Sequence, residues 1–342
     1  MPPVLAGVAG TRQSKNQFEL ALLPVMPHCR PTPDLSVIVV THNRTELALR
    51  TIRSARAATG SLTVDWHLID SGSVEPTIES VQREWPDVEV LRFANLGFAK
   101  ANNRGLRQAR GRYVLLLNPD VEIARGTLAE LVAALDERPT VGMASVIQRR
   151  SDGALDYSIR RDPSPWRTLE EAILPQRLRA PVRLGEVVSQ PRRYRREQTV
   201  DWVGGAFLVA RAEALRDIGG LDERFFMYSE ETDWCYRCRR AGWEVRHLPV
   251  IEVVHHRSLS YGPDLLAQLS WSKMLFARKH LGRRATMAMR VALALRHGLR
   301  AVSFTALARV DPRARDRALA QARALAVVLG RSSPPFSGSA PQ

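Results

Sequence analysis

The apolar run Leu115-Leu116-Leu117 passes directly into Asn118-Pro119-Asp120. An acid straight after a buried run, behind a proline that cannot continue a β ladder, is poorly explained by packing. It is well placed to bind a hard cation through oxygen, and a divalent ion held there can bridge two phosphates of a nucleotide. A second concentration of charge is Ser229-Glu230-Glu231-Thr232-Asp233, which follows Gly219-Gly220-Leu221-Asp222-Glu223. Three acids within four residues repel one another unless a metal, a proton-accepting role or nearby arginines compensate, and at least one pKa shifts as a result. The same acids suit the first turn of a helix, whose dipole favours negative charge, so both readings stay open here. His255-His256 close the run Val250 to Val254; a histidine at a strand end is a candidate metal ligand and equally a structural residue.

Polar groups recur at the ends of other apolar runs. The first run ends Val39-Val40-Thr41-His42-Asn43-Arg44 and the second Leu68-Ile69-Asp70-Ser71-Gly72-Ser73. A carboxylate that accepts from a base or ribose, beside small residues that allow close approach, suits a nucleotide pocket; Asp70-Ser71-Gly72 also suits an ordinary turn. After the third run, Asn95-Leu96-Gly97-Phe98-Ala99-Lys100-Ala101-Asn102-Asn103 opens a helix. Asparagines and a lysine at a helix start tolerate an anion, although asparagine also serves as a plain cap. Trp202-Val203-Gly204-Gly205-Ala206 precedes a further apolar strand. Cys235 and Cys238 form a C-x-x-C pair without a second pair at matching spacing, which makes them helix packing residues rather than a zinc or redox site.

Such residues act together only if the run ends converge. Apolar runs of strand length lie at Leu35 to Val40, Val64 to Ile69, Val88 to Phe93, Tyr113 to Leu117 and Val141 to Ile147. Helix-like stretches such as Arg44 to Ala58 and Gly126 to Leu135 lie between them. This alternation predicts an α/β fold of βαβ units, with a mainly parallel central sheet flanked by helices on both faces. Ligands of such sheets bind beyond the carboxyl ends of the strands, where the polar residues fall. Residues 1–33 read as a flexible leader and 34–260 as the ordered body, in which 148–200 is a basic, Pro-rich insertion expected to be mobile over the sheet. Residues 261–330 read as basic and helical, and 331–342 as a disordered tail.

Composition narrows the classes of partner. Of 50 Lys plus Arg only Lys15, Lys100, Lys273 and Lys279 are lysine, and the formal charge is +15. That excess favours polyanions: nucleic acid, anionic lipid or phosphorylated substrates. No helix-turn-helix, RRM or zinc-finger signature is present, and nucleic-acid binding leaves the acids at the strand ends unexplained, so no nucleic-acid partner is expected. Three cysteines, Cys29, Cys235 and Cys238, cannot form a fully paired disulfide framework, and the start MPPVLAGVAG lacks a charged segment followed by an apolar one. Both point to a cytoplasmic location. No stretch reaches the ~20 consecutive apolar residues of a spanning helix, so any membrane contact is expected to be peripheral.

Taken together and in order, VVTHNR, the Asp70 strand end, NLGFAKANNRGLRQARG, LLLNPD, VGGAFLVAR, GGLDERFFMYSEETDWCYRCRRAGW and His255 resemble family 2 glycosyltransferases of the GT-A fold. The likeness is nearest to the rhamnosyltransferases that build lipid-linked cell-wall or O-antigen glycans, and it covers about residues 35–260. It implies a Rossmann-like nucleotide-diphospho-sugar transferase with Thr41, Asn43 and Asp70 at the nucleoside, and Asn95, Gly97, Lys100 and Asn103 along the ribose and diphosphate. Asp120 matches the last acid of the family's metal-binding D-x-D element, His255 the histidine that completes the site, and Glu231 the catalytic base. Asn118 stands where many members carry aspartate, Ser71-Gly72 where Asn-Gly or Asp-Gly is usual, and Glu231 where Asp is usual.

The implied reaction is an inverting, metal-dependent (Mg or Mn) transfer, with rhamnose from dTDP-rhamnose to a polyprenyl-diphosphate-linked sugar as the first expectation and UDP-galactofuranose as the alternative donor. Trp202, Gly204, Gly205, Glu230 and Asp233 are expected on the acceptor side. The basic C-terminal helices fit either a membrane surface at the inner face of the plasma membrane or packing on the catalytic domain or a second subunit in a homo-oligomer.

Overall fold

A computed structural model describes residues 32–174, 184–257 and 263–336. The leader up to residue 31, residues 175–183 and 258–262, and the last six residues lie outside the described residues.

Strand β1 (Leu35–Thr41) buries all seven of its residues. Leu35, Val37 and Val39 face one apolar layer while Ile38 and Val40 face the other, the signature of a strand covered on both sides. It pairs in parallel with β2 (Val64–Ser71) and β4 (Tyr113–Leu117), and β3 (Glu89–Phe93) extends the sheet in parallel beside β2. Helices α1 (Thr45–Ala57), α2 (Thr77–Glu84) and α3 (Phe98–Leu106) make the crossovers. This half has the expected βαβ build.

Beyond β4 the sheet is mixed. Strand β10 (Phe207–Arg211) lies antiparallel between β4 and β6 (Val141–Arg149); β11 (Glu244–His255) runs parallel to β6; β5 (Val121–Arg125) and β8 (Gln198–Thr199) lie antiparallel to β11. The order is β3-β2-β1-β4-β10-β6-β11-β5, with β8 beside β11. Because Phe207 sits opposite Leu117, β10 enters at the edge where β4 ends and brings Gly204–Ala206 there. Helix α4 (Leu128–Asp136), opened by a Thr127/Glu130 capping box, covers one face, and α6 (Ala212–Ile218) and α7 (Glu230–Arg240) cover the other with α3.

The described parts of the insertion carry regular structure. They form strand β7 (Ile159–Arg160) paired with β9 (Trp202–Val203), and helix α5 (Pro165–Ile173) capped by Ser164. Tyr194 is buried, donates to the Val188 carbonyl at 2.8 Å and accepts from the Ile159 N–H at 3.0 Å. What stabilises the stretch comes from distant chain that no local pattern reveals. The C-terminal helices α8 (Pro263–His280), α9 (Gly282–Leu307) and α10 (Arg313–Val328) pack on it: Arg296 donates to Glu171 at 2.8 Å and Lys273 pairs with Glu186 at 2.5 Å.

Candidate active site

The ends of β1, β2, β3, β4 and β11 and the start of β10 meet at one edge of the sheet. Four non-glycine residues with positive φ are described, Asn43 (51°), Tyr228 (70°), Ser229 (65°) and Arg257 (49°), and all border this edge or the start of α7 beside it. Left-handed backbone costs free energy in such residues, and that cost is concentrated here.

At the end of β4, Asp120 is buried and its Oδ1 lies 3.6 Å from His255 Nε2. The two are brought together because β5 pairs with β11, with His255 opposite Val121, and because the His256 N–H donates to the Asp120 carbonyl at 2.9 Å. His255 Nδ1 lies 3.1 Å from Asp156, whose carboxylate is also gripped by Arg257, Nε to Oδ2 at 2.9 Å. Burial alone would raise the Asp156 pKa, but the hydrogen bonds from His255 and Arg257 override it and hold it down to about 2. Asp156 thereby fixes the imidazole with Nε2 toward Asp120, an outer carboxylate of the kind that orients a ligating histidine. Asn118 Oδ1 is buried at the same strand end without a hydrogen-bond partner.

Glu231 lies one residue into α7, and its side chain packs against Gly205; a Cβ on that glycine would sit 3.6 to 3.8 Å from the Glu231 side-chain carbons. Glu231 Oε2 is buried and unpartnered, as is Glu230 Oε2. Burial pushes the Glu231 carboxyl above its ordinary value, against the pull of backbone N–H groups and the nearby Arg160 charge. Burial and the neighbouring Glu231 charge push Glu230 well above its own. A carboxylate left short of donors in a dry setting is a strengthened proton acceptor.

The loops after β1 and β2 are stitched together. Asn43 accepts from the Val74 N–H at 2.8 Å, and its own N–H donates to Ser73 Oγ at 2.9 Å. Asp70 is fully buried with both oxygens engaged, Oδ1 by the Ser73 N–H and Oδ2 by Arg92 Nε, each at 2.9 Å. It thereby holds the turn after β2 and the Arg92 side chain together. Thr41 Oγ1 is buried and unpartnered at the end of β1. Asn95 accepts from the Gly97 N–H at 3.2 Å. Gly97 has a φ of +90°, and a Cβ there would fall 2.3 Å from the Phe226 carbonyl, so only glycine lets the loop before α7 approach. Ser71, Phe93, Leu96, Lys100 and Arg104 line a small cleft beside this loop.

Two expected site residues have partners within the fold. Asn103 uses its whole amide on the loop before α7, accepting from the Leu221 N–H at 2.9 Å and donating to the Leu221 carbonyl at 2.8 Å. Asp233, fully buried, points away from Glu231's pocket to Arg237, Lys279 and His280. Their residue types matched a polar site, and only the tertiary fold shows their partners. Trp202 remains on the Glu231 side, anchored by Nε1 to the Arg161 carbonyl at 2.8 Å, while the Gly204 N–H donates to the Ser158 carbonyl at 2.9 Å. Cys235 and Cys238 are buried in the core, where burial pushes the Cys238 thiol up to about 12. That is packing, as the spacing indicated. Asp156, Arg160 and Arg257 were not legible as site residues, since they lie in or beyond a stretch without periodicity.

Residues 36–197 match the family described as Glycosyl transferase family 2. The chain is 31% identical over 295 residues to the N-acetylglucosaminyl-diphospho-decaprenol L-rhamnosyltransferase of Mycobacterium tuberculosis, covering 79% of this chain and 95% of that one. It is 25% identical over 232 residues to the low-salt glycan biosynthesis hexosyltransferase Agl10 of Haloferax volcanii, covering 66% of this chain and 67% of that one. Among solved structures, the fold is similar to a mannosyltransferase from Pyrobaculum calidifontis in complex with GDP-Man and Mn2+, with a TM-score of 0.53, 17% identity and 87% of each chain covered. With a GT-A fold, strand-end acids converging on one edge and this similarity across most of its length, the chain belongs to glycosyl transferase family 2 and is a glycosyltransferase.

Proposed function

We propose that the enzyme transfers L-rhamnose from dTDP-rhamnose to a polyprenyl-diphosphate-linked sugar, with inversion at the anomeric carbon. The observation that carries the reading is Glu231, a desolvated carboxylate with an unpartnered oxygen that packs against Gly205, where β10 enters the sheet edge at which Asp120 and His255 meet. The similarity to a rhamnosyltransferase named for a diphospho-decaprenol sugar supports the donor and acceptor classes. In the proposed reaction, Glu231 takes the proton of an acceptor hydroxyl as that oxygen forms its bond to the anomeric carbon. The bond from that carbon to the nucleotide phosphate breaks on the opposite face, and its electron pair leaves with the diphosphate. Gly204 and Gly205 leave room for the acceptor sugar beside Trp202, and Glu230, its carboxyl pushed well above the ordinary value by burial and the Glu231 charge, precedes the base at the start of α7.

Thr41, Asn43 and the Ser71–Ser73 turn face the nucleoside in this reading, with Asn95, Gly97 and Lys100 along the ribose and diphosphate. Asp120 and His255, with the unpartnered Asn118 amide oxygen, fit a divalent ion, Mg²⁺ or Mn²⁺. So few protein donors suit a site in which phosphate oxygens and water complete the coordination. When bound, such an ion neutralises charge gathering on the departing diphosphate.

No described helix is long and apolar enough to cross a membrane. Helix α9 instead exposes Met287, Val291, Leu295, Leu299 and Val302 at three- and four-residue spacing, with Arg284 before them and Arg309 after the helix, and it contains no acid. An apolar stripe between arginines fits the headgroup zone of anionic lipid at the inner face of the plasma membrane, where the acceptor would reside.

Calorimetric titration with dTDP, UDP and GDP, each with Mn²⁺ and with chelator, followed by transfer assays, tests the proposal. Metal-dependent preference for dTDP and transfer from dTDP-rhamnose to a lipid-linked sugar are expected. A UDP preference would replace the donor with a UDP-sugar such as UDP-galactofuranose, and absence of nucleotide binding would defeat the reading.

A further inference from the structure

We propose that Arg160 is the receiving site for the diphosphate of the lipid-linked acceptor, held ready for it by Trp202. This rests on the acceptor class proposed above. Arg160 belongs to β7, and its backbone pairs with Trp202 of β9 in the small sheet beside Glu231. Its guanidinium carbon lies 5.7 Å from the centre of the Trp202 ring, and that ring is itself fixed by the Arg161 carbonyl. Among the described residues no carboxylate pairs with Arg160, and its Nε is buried without a hydrogen-bond partner.

Its neighbours are committed elsewhere. Arg161 donates to the Gly185 carbonyl at 2.9 Å, Arg167 to the Asp162 carbonyl at 2.8 Å, and Arg239 to the Asp162 carboxylate at 2.7 and 2.8 Å. Arg160 is thus a partly exposed cation over the Trp202 ring with no carboxylate at ion-pair distance among the described residues, and its charge is felt by Glu231. With Nε buried, the two terminal amino groups of the guanidinium are left for an anion, and their N–H donors match phosphate oxygens. A sugar whose hydroxyl reaches Glu231 carries its anomeric diphosphate one ring away, on the side of the base opposite the donor. The donor's own diphosphate has the Asp120 and His255 corner. A second anion at the acceptor side therefore accounts for this cation.

The test uses the full chain with Arg160→Ala, Arg160→Gln and Arg160→Lys. Direct binding of a short polyprenyl diphosphate without sugar is titrated first, and needs no turnover. The expected result is at least about tenfold weaker binding for Ala and Gln, a smaller loss for Lys, and dTDP binding unchanged in all three. In transfer assays the KM for the diphosphate-linked acceptor should rise by a similar factor, while the KM for an alkyl glycoside of the same sugar, lacking phosphate, should change far less, whatever the loss of charge beside Glu231 does to kcat. Equal rises in KM on both acceptors would make Arg160 a prop for Trp202, and weakened dTDP binding would assign its phosphate to the donor; either overturns the proposal. So would a wild type that binds the polyprenyl diphosphate no better than Arg160→Gln. Failure of transfer to every acceptor, with Arg160-dependent diphosphate binding intact, would instead strike the proposed reaction and leave this site standing.

Discussion

His280, at the end of α8, lies 2.6 Å from the buried carboxylate of Asp233, two residues beyond the proposed base on α7. Lys279 reaches the same oxygen at 2.6 Å and Asp222 at 2.7 Å, while Arg237 holds the other Asp233 oxygen at 2.8 Å. The Ser272 hydroxyl adds a hydrogen bond to the Met227 carbonyl at 2.8 Å. The C-terminal helices therefore position the helix that carries Glu231, and the helix with the exposed apolar stripe follows directly after His280.

Asp233→Ala should destabilise the fold by roughly 3–5 kcal/mol, because it leaves buried cations without their partner. Denaturant unfolding measures it. A direct acceptor contact would predict the contrary pattern, wild-type stability with a raised acceptor KM.

Acid should loosen this junction. Burial alone would raise Asp233 and Asp222, but hydrogen bonds from His280 and Lys279, and from Arg224 and Lys279, bring both below the ordinary value of 3.8. A depressed carboxyl stabilises the fold fully above its unfolded value, and that stability disappears as pH falls from about 5 through the folded value. Unfolding midpoints should drop over that window, and the drop should shrink in Asp233→Asn.

Glu231→Gln should cut turnover by about 10²–10⁴ with dTDP affinity nearly unchanged, since it removes the base and keeps the shape. Because burial raises the Glu231 pKa, kcat/KM should fall with decreasing pH at a point above the ordinary glutamate value of 4.5. Single-turnover kinetics with parallel titrations check both; wild-type turnover would remove Glu231 from the role.

Asp120→Ala should lower Mn²⁺-dependent dTDP binding by at least about tenfold and leave binding in chelator unaltered. Calorimetry in both conditions reads this directly. Equal metal response in variant and wild type would place the ion elsewhere.

Val291→Glu with Val302→Glu should release the enzyme from anionic vesicles, reducing partitioning by about tenfold or more while stability holds, because both side chains are exposed in the folded chain. Sedimentation with phosphatidylglycerol vesicles measures the loss; unchanged binding would point away from the α9 face.

Local residue pattern set the elements and the order of their chemistry. Short apolar runs such as Tyr113–Leu117 have one stable solution in a covered sheet, and a polar residue after such a run must emerge at the strand's end, which is why Thr41, Asn118, Asp120 and His255 were legible. The C-x-x-C pair was legible for the same reason, as helix spacing without further ligands. Tertiary structure alone decided the partners. Periodicity shows which face a side chain takes and says nothing of what arrives from elsewhere, so the partners of Asp70, Asn103 and Asp233, among them Arg92, Leu221 and His280, were not legible. The antiparallel half of the sheet, Asp156 behind His255 and Arg160 on Trp202 likewise depend on contacts between segments distant in the chain. Those pairings form only when the hydrophobic layers close around the sheet.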